Sequence, residues 1–406
     1  MDALLTDFSQ RRWETRPFER LFELLQSGPQ AAALFAESAL ERVPEGGTFL
    51  NTALSFVPRD EFQRLVEASL QRLGRSQAAE DLVAHASLQF PDLLHPHLGQ
   101  IFEARPNKDT YYEQWPWRSS GEAAGEHLLD VLACPPSEAA ALRAWLCLLE
   151  TRHETLLRVA EAKADAVPLE LPFADYLLEI GFAWPHGPMY TSEVSHLIFA
   201  EGYFTAPRAT WTARTLHPSW HVEGTGVACR VGGCAAGTCG LCGGQLHHLL
   251  TCPLPAGNGE STCEPIAFVT CLSCLGWEKP LLSYHHPVGD CPRSLDVGNI
   301  VPQFPALPLR ETVAQLTPTP SRWRWQDWGL SNSRENLCRV GGYPTWVQSA
   351  EYPACPGCEE RMRFVLQLDS ELPTENDGEW LWGSGGVCYA FWCASCRNSS
   401  LFWQCT

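Results

Sequence analysis

The stretches CRVGGCAAGTCGLCGGQLHHLL (residues 229–250) and CRVGGYPTWVQSAEYPACPGCEERMRFVL (338–366) decide how this chain is organised. They share a pentapeptide, Cys229–Gly233 and Cys338–Gly342, set 109 residues apart. Each then carries a C-x-x-C pair, Cys239/Cys242 and Cys355/Cys358, now 116 residues apart. An apolar run follows in both, with Leu246, Leu249 and Leu250 standing where Met362, Val365 and Leu366 stand later. A second C-x-x-C closes each copy, Cys271/Cys274 and Cys393/Cys396, offset by 122 residues. A shared pentapeptide, two matched pairs and a matched strand pattern identify an internal duplication, and the drift in offset is a few residues of loop.

The pairs within a copy lie 28 and 34 residues apart. At such spacings four thiolates can converge tetrahedrally on one zinc ion, each turn offering backbone N–H groups to its sulfurs. A redox pair would be a single C-x-x-C opening a helix inside a βαβ pattern. Here each leading pair precedes a strand-like run and has a partner pair. Two structural zinc ions are therefore expected, held by Cys239, Cys242, Cys271 and Cys274 and by Cys355, Cys358, Cys393 and Cys396. Four thiolates close the coordination sphere, so neither ion is expected to be catalytic. Cys229, Cys234, Cys252, Cys388 and Cys405 lie near enough to substitute as ligands. His247 and His248 read as one buried and one exposed strand residue, and His285 and His286 as a turn.

Around the duplication the chain changes texture. Residues 1–167 read as helices. In PRDEFQRLVEASLQRLG, Phe62, Leu65, Val66, Leu70 and Leu73 fall on one face. In PPSEAAALRAWLCLLE, Ser137 is the N-cap and Leu142, Trp145, Leu146 and Leu149 make the stripe. Cys134 and Cys147, the cysteines of this region, read as core residues. From about residue 170 the apolar runs shorten to strand length. The expected division is a helical domain (1–167), a first β half with its knuckles (168–301), a Pro/Trp-rich connector (302–334) and a second β half (335–406). The fold class is thus α+β: an all-α bundle or repeat-like domain, then a duplicated, mostly antiparallel β domain with zinc knuckles.

With 47 Asp+Glu against 29 Lys+Arg, the formal charge is -18. This repels phosphate backbones and anionic membranes, makes nucleic acid an unfavoured partner, and suits a basic protein partner. No run approaches the roughly 18 apolar residues of a membrane span, and no secretory leader is read at the N-terminus. A cytoplasmic setting is expected, in which 18 cysteines point to metal or burial rather than disulfides. The chain lacks G-x-S-x-G, a Walker-type loop and H-E-x-x-H. WGSGG (382–386) reads as a β-turn.

The second copy resembles the YwqG-like bacterial proteins and the related C-terminal region of the programmed cell death protein 2 family. The resemblance rests on Gly341, Gly342, Pro344 and Trp346, then Gln367 and Asp369 at a strand end, then a Trp-Gly turn in which Ser384 stands where the family carries an acid. It implies a duplicated antiparallel β fold with zinc knuckles. It further implies a non-enzymatic role, either holding a newly made basic protein or neutralising a toxin as an immunity protein. Two alternatives stand beside it. One is an enzyme using a cleft between the β halves, lined by Gln348, Gln367, Asp369 and Glu371; the other is a zinc-ribbon nucleic-acid binder.

Overall fold

The computed structural model describes residues 1–104, 114–183, 187–200, 202–204, 226–254, 265–319, 323–326, 328 and 336–406. It divides into two compact units, Met1–Ile180 with Ser321–Arg324, and Gly181–Pro320 with Trp325–Thr406. The fold is mixed α+β, helical first and sheet-rich after.

Eleven α-helices are described in the first unit. The helix Arg59–Leu70 buries Phe62, Leu65, Val66 and Leu70, the face its 3.6-residue spacing selects. Ser137 caps the helix Glu138–Glu150, its hydroxyl accepting the Ala140 N–H at 3.1 Å. Trp145 in that helix is fully buried and donates its indole N–H to Ala160 O at 2.7 Å. Cys147 is buried as expected, whereas Cys134 is exposed at the C-terminal end of the preceding helix. The helical unit continues through Phe173–Glu179, past the boundary expected after residue 167.

Among the described residues, the strands of the second unit are β1 (Phe182–Ala183), β2 (Gly187–Pro188), β3 (Val194–Ile198), β4 (Val227–Val231), β5 (Cys234–Thr238), β6 (Gln245–Cys252), β7 (Ile266–Thr270) and β8 (Leu282–His285). They continue with β9 (Arg293–Ser294), β10 (Thr312–Pro318), β11 (Arg339–Gly341), β12 (Arg363–Asp369), β13 (Leu372–Pro373), β14 (Glu379–Trp380), β15 (Val387–Cys393) and β16 (Asn398–Gln404). Strands β1 and β2 pair with each other, as do β13 and β14; the other twelve form one sheet. Its order is β5-β6-β4-β10-β3-β11-β12-β15-β16-β8-β9, with β7 on the other edge of β6.

The duplication is written in the register. Val231 faces Leu250 between β4 and β6, and their counterparts Val340 and Leu366 face each other between β11 and β12. His247 faces Thr270 and Leu250 faces Phe268; the counterparts Arg363 and Trp392, and Leu366 and Ala390, repeat both pairs. Even the irregularity repeats, between His248 and Leu250 in β6 and between Phe364 and Leu366 in β12. A bulge kept at the same place in both copies is part of the fold, because it sets the local twist.

The two copies exchange strands at the centre. Strand β10, from the stretch expected to be a connector, pairs with β4 of the first copy. Strand β3, which precedes the first copy, pairs with β11 of the second. The two then pair with each other, Gln315 opposite Ile198 and Leu316 opposite Leu197. Residues 302–334 are therefore not merely a linker: they place a strand in the middle of the sheet. One apolar core serves both copies, with Leu246, Leu249, Leu250, Phe268 and Val269 packed in the same cluster as Leu366, Leu368, Trp382, Ala390 and Leu401.

The shared pentapeptide has a backbone reason. Gly232, Gly233, Gly341 and Gly342 all have positive φ, from +72° to +86°, a region open to glycine at little cost. A Cβ on Gly232 would collide with Arg310 O, and one on Gly341 with Glu193 O. Gly341→Ala is expected to cost about 3 kcal/mol, combining left-handed strain with a backbone collision. A urea midpoint equal to that of the parent chain would refute this account of the motif.

Candidate metal centres

Each copy brings four cysteine sulfurs together, Cys239, Cys242, Cys271 and Cys274 in the first and Cys355, Cys358, Cys393 and Cys396 in the second. Within each group all four lie within 4.8 Å of one another. In the first, the leading turn joins β5 to β6 and the closing turn follows β7. In the second, the leading turn precedes β12, and the closing turn is the tip of the β15–β16 hairpin.

The leading turns are the same structure built twice. Cys239 N–H donates to Gly244 O at 2.7 Å and Cys355 N–H to Glu360 O at 2.8 Å. Gly243 N–H returns to Cys239 O, and Glu359 N–H to Cys355 O, each at 2.8 Å. Gly243 and Glu359 take the left-handed conformation that this turn demands, at φ +70° and +62°. The turn aims backbone donors at sulfur: Leu241 N–H at Cys239 Sγ, Gly244 N–H at Cys242 Sγ and Gly357 N–H at Cys355 Sγ, each 3.4 Å away. Asn398 adds its side-chain amide to Cys355 Sγ, also at 3.4 Å.

These distances test the fit to a metal. Zinc–sulfur bonds of about 2.3 Å in a tetrahedron set sulfur–sulfur edges of about 3.8 Å. Cys239 and Cys274 sulfurs lie 3.9 Å apart, and Cys242–Cys271 and Cys358–Cys393 each 3.7 Å. Disulfides, near 2.05 Å, are a different arrangement. Electrostatics point the same way. Cys239 is pushed down to about 5, by its hydrogen bond with Cys271 and by the N–H groups of Cys242 and Leu241 against the effect of burial. Burial raises Cys355, but the Gly357 and Cys358 N–H groups and Asn398 outweigh it and leave the thiol at about 7. The neighbours go the other way, Cys271 up through its bond to Cys239 and Cys396 up to about 12 through its bond to Cys358. Each set thus concentrates negative charge that a divalent cation can neutralise while displacing the remaining protons. The residues fit two metal ions, and four soft sulfurs favour zinc among the common ones.

The other sequence candidates lie apart from these sets. Cys229, Cys252 and Cys388 are buried, and burial pushes all three thiols up. Cys234 and Cys405 are half-buried. His247 and His248 are both buried, which corrects the expected alternation; β6 is covered on both faces, and the bulge falls there. His247 Nδ1 accepts the Leu272 N–H at 3.1 Å, so this histidine braces the closing knuckle. His285 ends β8 with Nδ1 3.0 Å from Asn398 Oδ1. In WGSGG, Gly385 N–H closes on Trp382 O at 3.2 Å, the expected β-turn.

The four residues read as a polar cleft lining have structural partners. Gln367 is fully buried, accepting the Thr345 N–H and donating to Leu337 O, both at 2.9 Å. Asp369 is buried and accepts the Ser370 N–H at 2.8 Å. Gln348 donates to Cys405 O at 2.7 Å. Glu371 sits in a left-handed turn, its N–H on Trp380 O. Sequence reading missed a buried network around His196. Its Nδ1 lies 2.6 Å from Thr319 Oγ1 and its Nε2 3.0 Å from Gln326 Oε1, which also accepts from Arg339 at 3.1 Å. No motif marks this network, because its members come from separate stretches of the chain.

No family model matches the chain, and no solved structure matches it. A stretch of 66 residues is 37% identical to the uncharacterized protein YpfL of Salmonella typhimurium strain LT2. That stretch is 16% of this chain and spans 14% of the relative's length. Part of the chain is thus similar to an uncharacterised bacterial protein. No helix among the described residues is long and apolar enough to cross a membrane.

Proposed function

We propose that this chain is a cytoplasmic, non-enzymatic binding protein whose β unit is stapled by two structural zinc ions. Cys239, Cys242, Cys271 and Cys274 hold one, and Cys355, Cys358, Cys393 and Cys396 the other. The observation that carries the reading is the pair of closed four-sulfur sets. When bound, zinc in such a set cross-links loops and leaves no open position for a substrate. The partner is a protein, basic in charge, bound as an immunity protein binds a toxin or a holding chaperone binds its client. Kinship with the YwqG-like proteins and the programmed cell death protein 2 family belongs to the same reading. The charge of -18 supports a basic partner. The exposed apolar side chains Leu295, Val297, Val301 and Phe304, grouped on one stretch, support a protein contact there.

Elemental analysis of the full chain, purified without added zinc, is expected to find about two zinc ions per chain. The cluster thiols are expected to titrate only after chelation. A metal-free chain would end the stapling role. Capture of a basic protein from lysate, lost at high salt, is expected on the immobilised chain; the absence of any captured partner would remove the binding role.

A further inference from the structure

The two centres are twins in their turns but differ in their cover. Over the first, residues 298–306 run as a strap. Gly298 N–H donates to Gly240 O at 2.8 Å and Ile300 N–H to Leu241 O at 3.0 Å. Ala306 N–H donates to Ser273 Oγ at 2.9 Å, while the side chains of Ile300 and Ala306 pack against the core. Beneath the strap Leu241, Leu272 and Ser273 are buried, and Cys239, Cys271 and Cys274 are at most 2% exposed. The matching positions of the second centre are Gly357, Ala394 and Ser395, and all three are exposed. So is Cys358, the counterpart of the half-buried Cys242.

The donors to sulfur differ as well. Cys242 Sγ accepts the Gly244 N–H, and Cys355 Sγ accepts two N–H groups. Among the described residues, the contacts of Cys358 Sγ are to cluster sulfurs and to the Ser395 hydroxyl at 4.0 Å, with no backbone N–H aimed at it. A sulfur without N–H donors keeps its electron density available, and exposure lets a small electrophile reach it.

We propose that Cys358 is a modification site for small electrophiles of the peroxide class, reacting ahead of the other seven cluster cysteines and opening the second centre while the first stays closed. The assignment rests on the metal reading above for the opening of the centre, and on the exposure of Cys358 and its 3.7 Å approach to Cys393 for the order of reaction. In the first step Cys358 sulfur attacks one oxygen of hydrogen peroxide. An S–O bond forms, the O–O bond breaks, the sulfur loses two electrons, and the other oxygen leaves as hydroxide, which is protonated to water. In the second step Cys393 sulfur, 3.7 Å away, attacks the sulfenic sulfur of Cys358. An S–S bond forms, the S–O bond breaks, and hydroxide leaves to become a second water. Two thiolates, one peroxide and two protons thus give one disulfide and two waters, and the second set is left with two free sulfurs.

The test treats the zinc-loaded full chain with stoichiometric hydrogen peroxide. Released metal is read with a chromogenic chelator, and cysteine states are read by alkylation and mass spectrometry. Half of the bound zinc is expected to leave first, with Cys358 and Cys393 oxidised and Cys239, Cys242, Cys271 and Cys274 still reduced. Exposed Cys134 and Cys291 lie outside both clusters and report plain exposure; Cys358 is expected to react before them. Cys358→Ser is expected to slow the early release about tenfold. Alkylation order in the parent chain gives the same answer should that variant lose its ion. Oxidation falling first on the first centre, or equally on both, overturns the proposal. A chain carrying no zinc would end the metal reading separately, since the order of cysteine oxidation is read on the same sample without reference to metal.

Discussion

Cys274→Ala is expected to remove one zinc ion and to unfold the β unit at far lower urea concentration, a loss of roughly 5 kcal/mol or more given the energies of structural zinc sites. The effect is large because this centre lies inside the core. Cys271, Cys274, Leu272 and Leu275 belong to the same apolar cluster as Leu249, Phe268 and Leu401. Cys274 and Leu275 are fully buried. Losing the ion would release the turns Cys239–Gly244 and Cys271–Gly276, and with them the ends of β5, β6 and β7. The loss should also exceed that of Cys358→Ala, whose sulfur lies at the surface. Tryptophan fluorescence against urea, with zinc measured on each fraction, gives the comparison. Equal midpoints for parent and Cys274→Ala would show that the metal is not what holds this core.

Mild acid is expected to destabilise the β unit through two buried histidines. Burial, reinforced by the Arg339 charge, pushes His196 down to about 3. Burial, with Arg397 and His285 adding, pushes His286 down to about 4. Both are neutral in the fold, and both take up a proton with an ordinary value near 6.5 when unfolded. The stability they preserve is therefore complete above about 6.5 and declines as the pH falls from there toward the folded values. The slope is about 1.4 kcal/mol per pH unit for each histidine, or roughly 4 kcal/mol for the pair between pH 7 and 5. His196 has its ring fixed: Gln326 donates its amide to Asn336 O, so its Oε1 accepts from His196 Nε2–H, and Nδ1 accepts from Thr319. His196→Gln removes the titration and is expected to reduce the slope by about half of the pair's share. A slope unchanged in that variant would assign the acid sensitivity elsewhere, to His247 and His248, which burial also pushes down, or to protonation of the cysteine sulfurs.

Much of the candidate site is legible in the sequence. The pairing of C-x-x-C turns at matched distances identified two four-cysteine sets, and both form. The pentapeptide and the apolar run after each leading pair gave the two copies, and their offsets reappear as repeated register pairs, Val231 with Leu250 and Val340 with Leu366. Helix faces such as Phe62, Leu65, Val66 and Leu70 were legible for the same reason. Each is a local pattern whose period or spacing is fixed by backbone geometry.

The sequence by itself thus determined the order of helical and β regions, the duplication and the eight clustered cysteines. Tertiary structure alone decided the exchange of β3 and β10 across the centre of the sheet, the burial of both His247 and His248, and the strap over only the first centre. Strand pairing joins residues more than a hundred positions apart, such as Ile198 and Gln315, and a strand's own residues do not specify which edge it will meet. Cover over a knuckle likewise depends on where a distant segment packs. That is why two turns of one construction end in different surroundings, one closed by residues 298–306 and the other open at Cys358.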